Sequence, residues 1–251
     1  PAHAIGEAAV RALRYEGVRV DHVVRGGERV GIYFAESGAS QRASAVIYDR
    51  AHSAVSELKP GAVAWDEVLD GAAWFHCTGI TPALGASAAA CTKEAIEAAK
   101  RAGVRVSLDL NFRKKLWSEA DAQKTMRPLA AMCDVLVANE EDLQSSLGIA
   151  VPHADVTGGA LDVEGYRAAT TQVARDLGVR HVAVTLRESV SASDNGWSAV
   201  LLDAAGGGFH RSQRYDVRIV DRIGGGDSFV AGLIFGFVTG RDPAAALRFA
   251  V

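Results

Sequence analysis

The chain has 251 residues, 49% of them hydrophobic and 23% charged, with a formal net charge of −3. That composition fits one large globular domain, or one domain with a small insert, and lacks the basic excess of a nucleic-acid-binding surface. The three cysteines, Cys77, Cys91 and Cys133, form no CxxC pair or even framework, and no apolar run is long enough to cross a bilayer. A reduced, cytoplasmic setting with neither nucleic-acid nor membrane partner is expected.

The first pattern is helical, with Ile5, Ala9, Val10 and Leu13 on one face. From Val18 to Arg50 the runs VDHVV, RVGIYFAE and SAVIYDR are rich in β-formers, and Gly26-Gly27 and Gly38-Ala39-Ser40 separate them as turns. They predict a small antiparallel sheet. From Trp74 the pattern alternates. WFHCTG, VRVSLDLN, DVLVAN and HVAVTL read as strands. Leu84 to Ala102, Glu119 to Met132, EEDLQSSLG and Val163 to Leu177 read as helices. Trp197 to Arg214 reads as a hairpin around Gly206-Gly207-Gly208. Strand–helix alternation predicts an α/β fold, a mostly parallel sheet with helices on both faces. The final helical pattern starts at Pro243 and meets no glycine stop before Val251, so further chain is expected at both ends.

Ligands of such sheets sit beyond the carboxyl ends of the strands. Asn111 and Arg113 follow VRVSLDL, Asn139 to Asp142 follow DVLVA, and Thr185 and Arg187 follow HVAV. Singly, each cluster reads equally as a solvated loop or a helix cap. Their shared position points to a site.

The stretch DRIGGGDSFVAGLIFG carries the sharpest signal. Phe229, Leu233 and Phe237 share a helical face, with Ala231 and Gly232 suited to close packing, so Gly224, Gly225 and Gly226 lie at a helix N-terminus. Backbone N–H groups there lack intrahelical partners and face the positive end of the macrodipole. Residues without Cβ let a phosphate approach them. Asp227 reads either as a helix cap, worth about 1 kcal/mol, or as a general base beside the phosphate. A cap does not account for three preceding glycines. GxGxxG and GxxxxGK[ST] are both missing, which counts against a nicotinamide-dependent dehydrogenase and a Walker-type site.

Asp221 to Asp227 resembles the DTxGAGD signature of the ribokinase-like (PfkB) carbohydrate kinases. SLDLNFRKKLW resembles the DxNxR segment of the 2-keto-3-deoxygluconate kinases in that family. GIYFAESGASQR with AVIYDRAHSA resembles their sugar-binding lid, and VTLRES and NEED resemble their nucleotide-side motifs. The sequence departs from the signature at Arg222 and Gly225, and Asp142 stands where an NxxE motif carries Glu. The segment ESVSASDN is longer than the tight ribokinase loop.

The resemblance implies a ribokinase-like core of residues 1–18 and 52–251 with a β lid of residues 19–51. It implies Asp227 as the base that activates a sugar hydroxyl, with Gly224, Gly225 and Gly226 stabilising the transferred phosphoryl group. It implies Asn139, Thr185 and Arg187 on the nucleotide side and Asp142 near magnesium. Tyr33, Tyr48, Arg50 and Arg113 match sugar-contacting positions. The two arginines suit a substrate carboxylate, which a neutral sugar lacks; the alternative is that both form weak surface ion pairs. ATP and Mg2+ are the implied cofactors, and the reaction implied is phosphorylation of 2-keto-3-deoxygluconate. A kinase for fructose or 2-keto-3-deoxygalactonate, or a noncatalytic sugar-acid-binding protein, remains an alternative. Exposed lid strands imply a homo-oligomer through the lid.

Overall fold

The computed structural model describes residues 1–151, 162–221 and 223–251. In chain order the elements begin with α1 (Ala4–Tyr15), β1 (Ile32–Glu36), β2 (Ala45–Asp49) and α2 (Trp65–Val68). The alternating region comprises β3 (Trp74–Thr78), α3 (Ile80–Ala83), α4 (Ala86–Arg101), β4 (Arg105–Asp109), α5 (Glu119–Ala130), β5 (Val135–Ala138), α6 (Asp142–Leu147), α7 (Val163–Leu177) and β6 (His181–Ser189). The chain then forms β7 (Asp194–Asp203), β8 (Gly208–Arg211), β9 (Tyr215–Arg218), α8 (Gly225–Val238) and α9 (Pro243–Ala250).

The main sheet has the order β3-β4-β5-β6-β7-β8, with β9 also paired to β7. β3 to β6 are parallel, and β7 runs antiparallel to β6. Every residue of β5 is buried, as expected for a strand covered on both faces. On one face Leu108, Leu136, Val182 and Val184 pack with Ile96 of α4, Met126 of α5 and Tyr166 and Val173 of α7. On the other, Val137, Ala183, Ala199 and Leu201 pack with Phe229, Val230 and Leu233 of α8 and Ala246 and Leu247 of α9.

Local signals set the ends of these helices. Ser118 caps α5 through the Asp121 N–H, and Asp242 caps α9 through the Ala245 N–H with Pro243 next in line. Gly148 and Gly178 close α6 and α7 in the left-handed conformation. Gly232 and Gly236 carry the contact between α8 and α9. A Cβ on Gly236 would lie 2.7 Å from the Cβ of Ala246, and one on Gly232 would lie 2.9 Å from the Cα of Ala250. Ala231, by contrast, is exposed.

The expected small sheet forms, but with two strands. β1 and β2 pair antiparallel, with Tyr33 opposite Tyr48 and Phe34 opposite Ile47. The run VDHVV is not a strand; Val23 N–H instead turns back to the Val20 carbonyl at 3.1 Å. The apolar stripe of α1 is also less covered than its pattern suggests: Val10 is buried, whereas Ile5 and Leu13 are exposed. β6 runs on to Ser189, so Thr185 and Arg187 lie within a strand rather than after one.

Candidate active site

The carboxyl ends of β4, β5 and β6, the N-terminus of α8 and one face of the β1–β2 sheet enclose a cavity of about 710 Å³. All the residues singled out from the sequence line it: Asp227 with Gly224, Gly225 and Gly226; Asn139, Asp142, Thr185 and Arg187; and Tyr33, Tyr48, Arg50 and Arg113. Arg222 lies outside the described residues.

Gly224 is the N-cap of α8 at φ 80°, a conformation that favours glycine. The Ser228 N–H is the first to bond back, to the Gly224 carbonyl at 2.8 Å. The N–H groups of Gly225, Gly226 and Asp227 have no hydrogen-bond partner among the described residues. A Cβ at Gly225 or Gly226 would meet nothing within 4 Å, so the approach to those amides is open. The result is an anion cradle at the positive end of a helix packed against the sheet through Phe229 and Leu233. Asp227 makes no capping bond in α8, and its exposed carboxylate adjoins the cradle on the cavity wall. The cap reading of this residue therefore has no geometric support.

A bracket of hydrogen bonds fixes the opposite wall. The Asp142 carboxylate accepts the Phe112 N–H at 3.0 Å through Oδ1 and the Asn139 N–H at 2.9 Å through Oδ2. The Asn139 side-chain oxygen accepts the N–H groups of Glu141 and Asp142 at 2.9 and 3.1 Å. One buried carboxylate thus ties the loop after β4 to the loop after β5. Burial pushes the Asp142 carboxyl above its ordinary range against the pull of those N–H groups. Glu140, raised by burial in the same way, accepts the Arg187 N–H and ties the β5 loop to β6. The Thr185 hydroxyl is buried and donates to the Ala138 carbonyl at 3.3 Å.

Asp109 and Asn111 belong to the same wall and received no role from the sequence. Burial pushes the Asp109 carboxyl up to about 7, with the negative charges of Asp142 and Asp227 adding to the rise and Arg113 opposing it. Asn111 holds φ 42°, and its side-chain amide donates to the Thr78 hydroxyl at 3.2 Å. Asp109 and Asn111 both belong to the DxNxR segment read from the sequence, in which only Arg113 was given a role.

On the β1–β2 side the rings of Tyr33 and Tyr48 lie 6.2 Å apart, and the Arg50 guanidinium sits 4.3 Å over the Tyr48 ring. Arg113 donates to the Phe112 carbonyl at 3.0 Å. Neither Arg50 nor Arg113 has an ion-pair partner among the described residues. Both are half-buried and line the cavity, and the charge of Arg113 is felt by the carboxyl groups of Asp109 and Asp142. Oxygen donors dominate the wall formed by Asn139, Glu140, Asp142 and Thr185, but no group of three or more His, Cys, Asp or Glu could cage a metal among the described residues. That donor set fits Mg2+, which keeps several waters and takes one or two carboxylates plus phosphate oxygens.

Among the described residues no helix is long and apolar enough to cross a membrane. The pfkB family carbohydrate kinase profile matches residues 2–251. The chain is 32% identical to a 2-dehydro-3-deoxygalactonokinase from Haloferax volcanii, over 99% of this chain and 71% of that protein. It is 31% identical to a 2-dehydro-3-deoxygluconokinase from Thermoproteus tenax, over 98% and 68%. The crystal structure of a 2-dehydro-3-deoxygluconokinase from Thermotoga maritima superposes with a TM-score of 0.94 at 46% identity, covering 100% of this chain and 74% of that one. With its mostly parallel sheet, its glycine cradle and a profile match across nearly its full length, the chain belongs to the pfkB family of carbohydrate kinases.

Proposed function

We propose that this kinase transfers the γ-phosphoryl group of ATP to a terminal hydroxyl of 2-keto-3-deoxygluconate. The observation that carries the substrate is the pair of arginines, Arg50 and Arg113, that make no direct ion pair among the described residues and line the cavity that also holds Asp227 and the open amides. A carboxylate suits two such forks, whereas a neutral sugar would leave them half-buried and unpaired. The relatives named for sugar-acid substrates support the same reading.

Residues 19–51 act as a lid on a core of residues 1–18 and 52–251. Tyr33 and Tyr48 stack along the sugar acid, and Arg50 and Arg113 fix its carboxylate. Asp227 takes the proton of the acceptor hydroxyl as that oxygen bonds to phosphorus and the bond to ADP breaks. The N–H groups of Gly225, Gly226 and Asp227 hold the charge on the transferring oxygens, and Gly224 supplies the turn that aims them. Asn139, Thr185 and Arg187 shape the nucleotide side. Magnesium, bound with ATP, neutralises phosphate charge, and Glu140 and Asp142 would hold it through its waters. Both oxygens of Asp142 already accept backbone N–H bonds, so Asp142 braces the site more than it ligates.

The outer face of the lid shows Ile32, Phe34 and Ile47 to solvent. We infer self-association through that face; Phe34→Glu should shift the mass seen by light scattering toward the monomer. The free, scattered cysteines suit a reducing cytoplasm.

The deciding experiment is a coupled ADP-release screen over 2-keto-3-deoxygluconate, 2-keto-3-deoxygalactonate, fructose and ribose. Sugar-acid-dependent release is expected. Preference for the galactonate epimer would move the assignment to that substrate, preference for a neutral sugar would overturn the role of the arginines, and binding without release would leave a noncatalytic sensor.

A further inference from the structure

Three segments meet at Ser193. The lid tip, between β1 and β2, reaches the turn between β6 and β7, although the two are 153 residues apart in sequence. There the Ser40 N–H donates to the Ser193 hydroxyl at 3.1 Å, and the Ser40 carbonyl accepts the Ala192 N–H at 2.9 Å. The Ser193 carbonyl accepts the N–H of Ile219 at 2.7 Å. Ile219 lines the cavity just before Asp221, whose carboxylate accepts the Ile223 N–H at 2.9 Å at the entry to the glycine turn.

Each partner is held ready for this contact. The Ser191 hydroxyl accepts the N–H groups of Ser193 and Asp194 at 3.1 and 2.9 Å, which fixes the β6–β7 turn. Ser40 sits at φ 51° in the two-residue turn closed by the reciprocal backbone bonds of Ala39 and Arg42, each 3.0 Å. The bonds between lid and turn are exposed, so they are individually weak and reversible. That suits a contact that opens in every cycle to admit the sugar and release the product. The lid meets the acceptor side of the cavity, while β6 and β7 carry its nucleotide side. The Ser40–Ser193 contact spans the two.

We propose that Ser193 is a positioning residue that latches the lid to the nucleotide-side hairpin, so that covering the acceptor and setting the glycine turn occur together. The latch rests on the kinase reading above. Ser193→Ala removes the hydroxyl acceptor and leaves the backbone bonds of the turn. It should raise KM for the sugar acid about fivefold, the worth of one ordinary hydrogen bond, with a smaller change in KM for ATP. Ser193→Thr, which keeps a hydroxyl, should restore the parent value; an unchanged sugar KM in the alanine variant overturns the latch.

A second arm replaces Ser40 and Ser193 together with cysteine. Mild oxidation should cross-link the pair and cut sugar-acid turnover at least tenfold, with recovery on reduction, because a locked lid blocks exchange. Failure to cross-link, or full turnover by cross-linked protein, overturns the proposal. Lack of turnover by the unaltered protein would instead fail the kinase reading, since cross-linking reports the contact independently of catalysis.

Discussion

The two walls of the cavity are held in different ways. The α8 wall is anchored by Phe229 and Leu233, each 1% exposed, and by a glycine-mediated contact with α9. The lid wall has no buried residue in either strand. It is attached by the Lys115 ammonium on the Val46 carbonyl at 3.2 Å, by the Ala54 N–H on the Arg29 carbonyl at 2.9 Å and by the contacts of Ser40. The groups proposed to act on phosphorus are therefore fixed, and those proposed to meet the sugar on the lid are lightly held. Low local stability is what a moving element requires, whereas amides aimed at developing charge work only if they do not reorganise.

The largest expected effect separates chemistry from stability on the fixed wall. Asp227→Asn should lower kcat by about 10²–10⁴ and leave the melting temperature unchanged, because this carboxylate caps nothing. A matching loss of stability would show that Asp227 is part of the scaffold after all.

Next comes Asp109, between the two walls. Its carboxyl titrates near 7 in the fold, above its ordinary value. Between roughly pH 4 and 7 the folded protein keeps a proton that the unfolded chain has released, so stability falls as pH rises through that window. Asp109→Asn removes the titration. It should match the parent near pH 4 and exceed it near pH 8 by on the order of a few kcal/mol, read from denaturant melts. Parallel pH profiles would show that the acid is not desolvated.

Overpacking the fixed wall comes third. Gly236→Val should cost about 1–3 kcal/mol, since even a Cβ there would overlap Ala246. A neutral result would mean that α9 is free to move away, and the contrast between the walls would fade. The smallest effect is on binding: Arg113→Ala should raise KM for the sugar acid about tenfold and leave neutral sugars little changed. Equal losses on both substrate classes would assign Arg113 to structure.

Legibility in the sequence followed the range of the forces involved. The glycine turn, the α8 face and the parallel strands were readable because neighbouring residues determine them. The four-residue helices α2 and α3 are too short to leave a period. The extension of β6 to Ser189 depends on its antiparallel partner, with Ser189 opposite Asn195, a pairing that no local pattern announces. Val20, Val23 and Val24 suggested a third lid strand that does not form. The twelve candidate site residues all reached one cavity, yet the work of Asp142 was hidden. Its two N–H partners come from different loops, and only folding brings Phe112 and Asn139 to the same carboxylate. The elevated titration of Asp109 is likewise a property of its burial, not of its neighbours in sequence.

The reversal of direction at β7 has a practical consequence. β6 ends at the cavity, so the turn joining β7 to β8, Ala204 to Gly207, projects from the opposite pole. That turn is exposed and is folded by its own bond from the Gly206 N–H to Asp203 at 3.0 Å. An immobilisation tag inserted between Gly206 and Gly207 would tether the protein to a sensor chip with its binding mouth facing the flowing analyte.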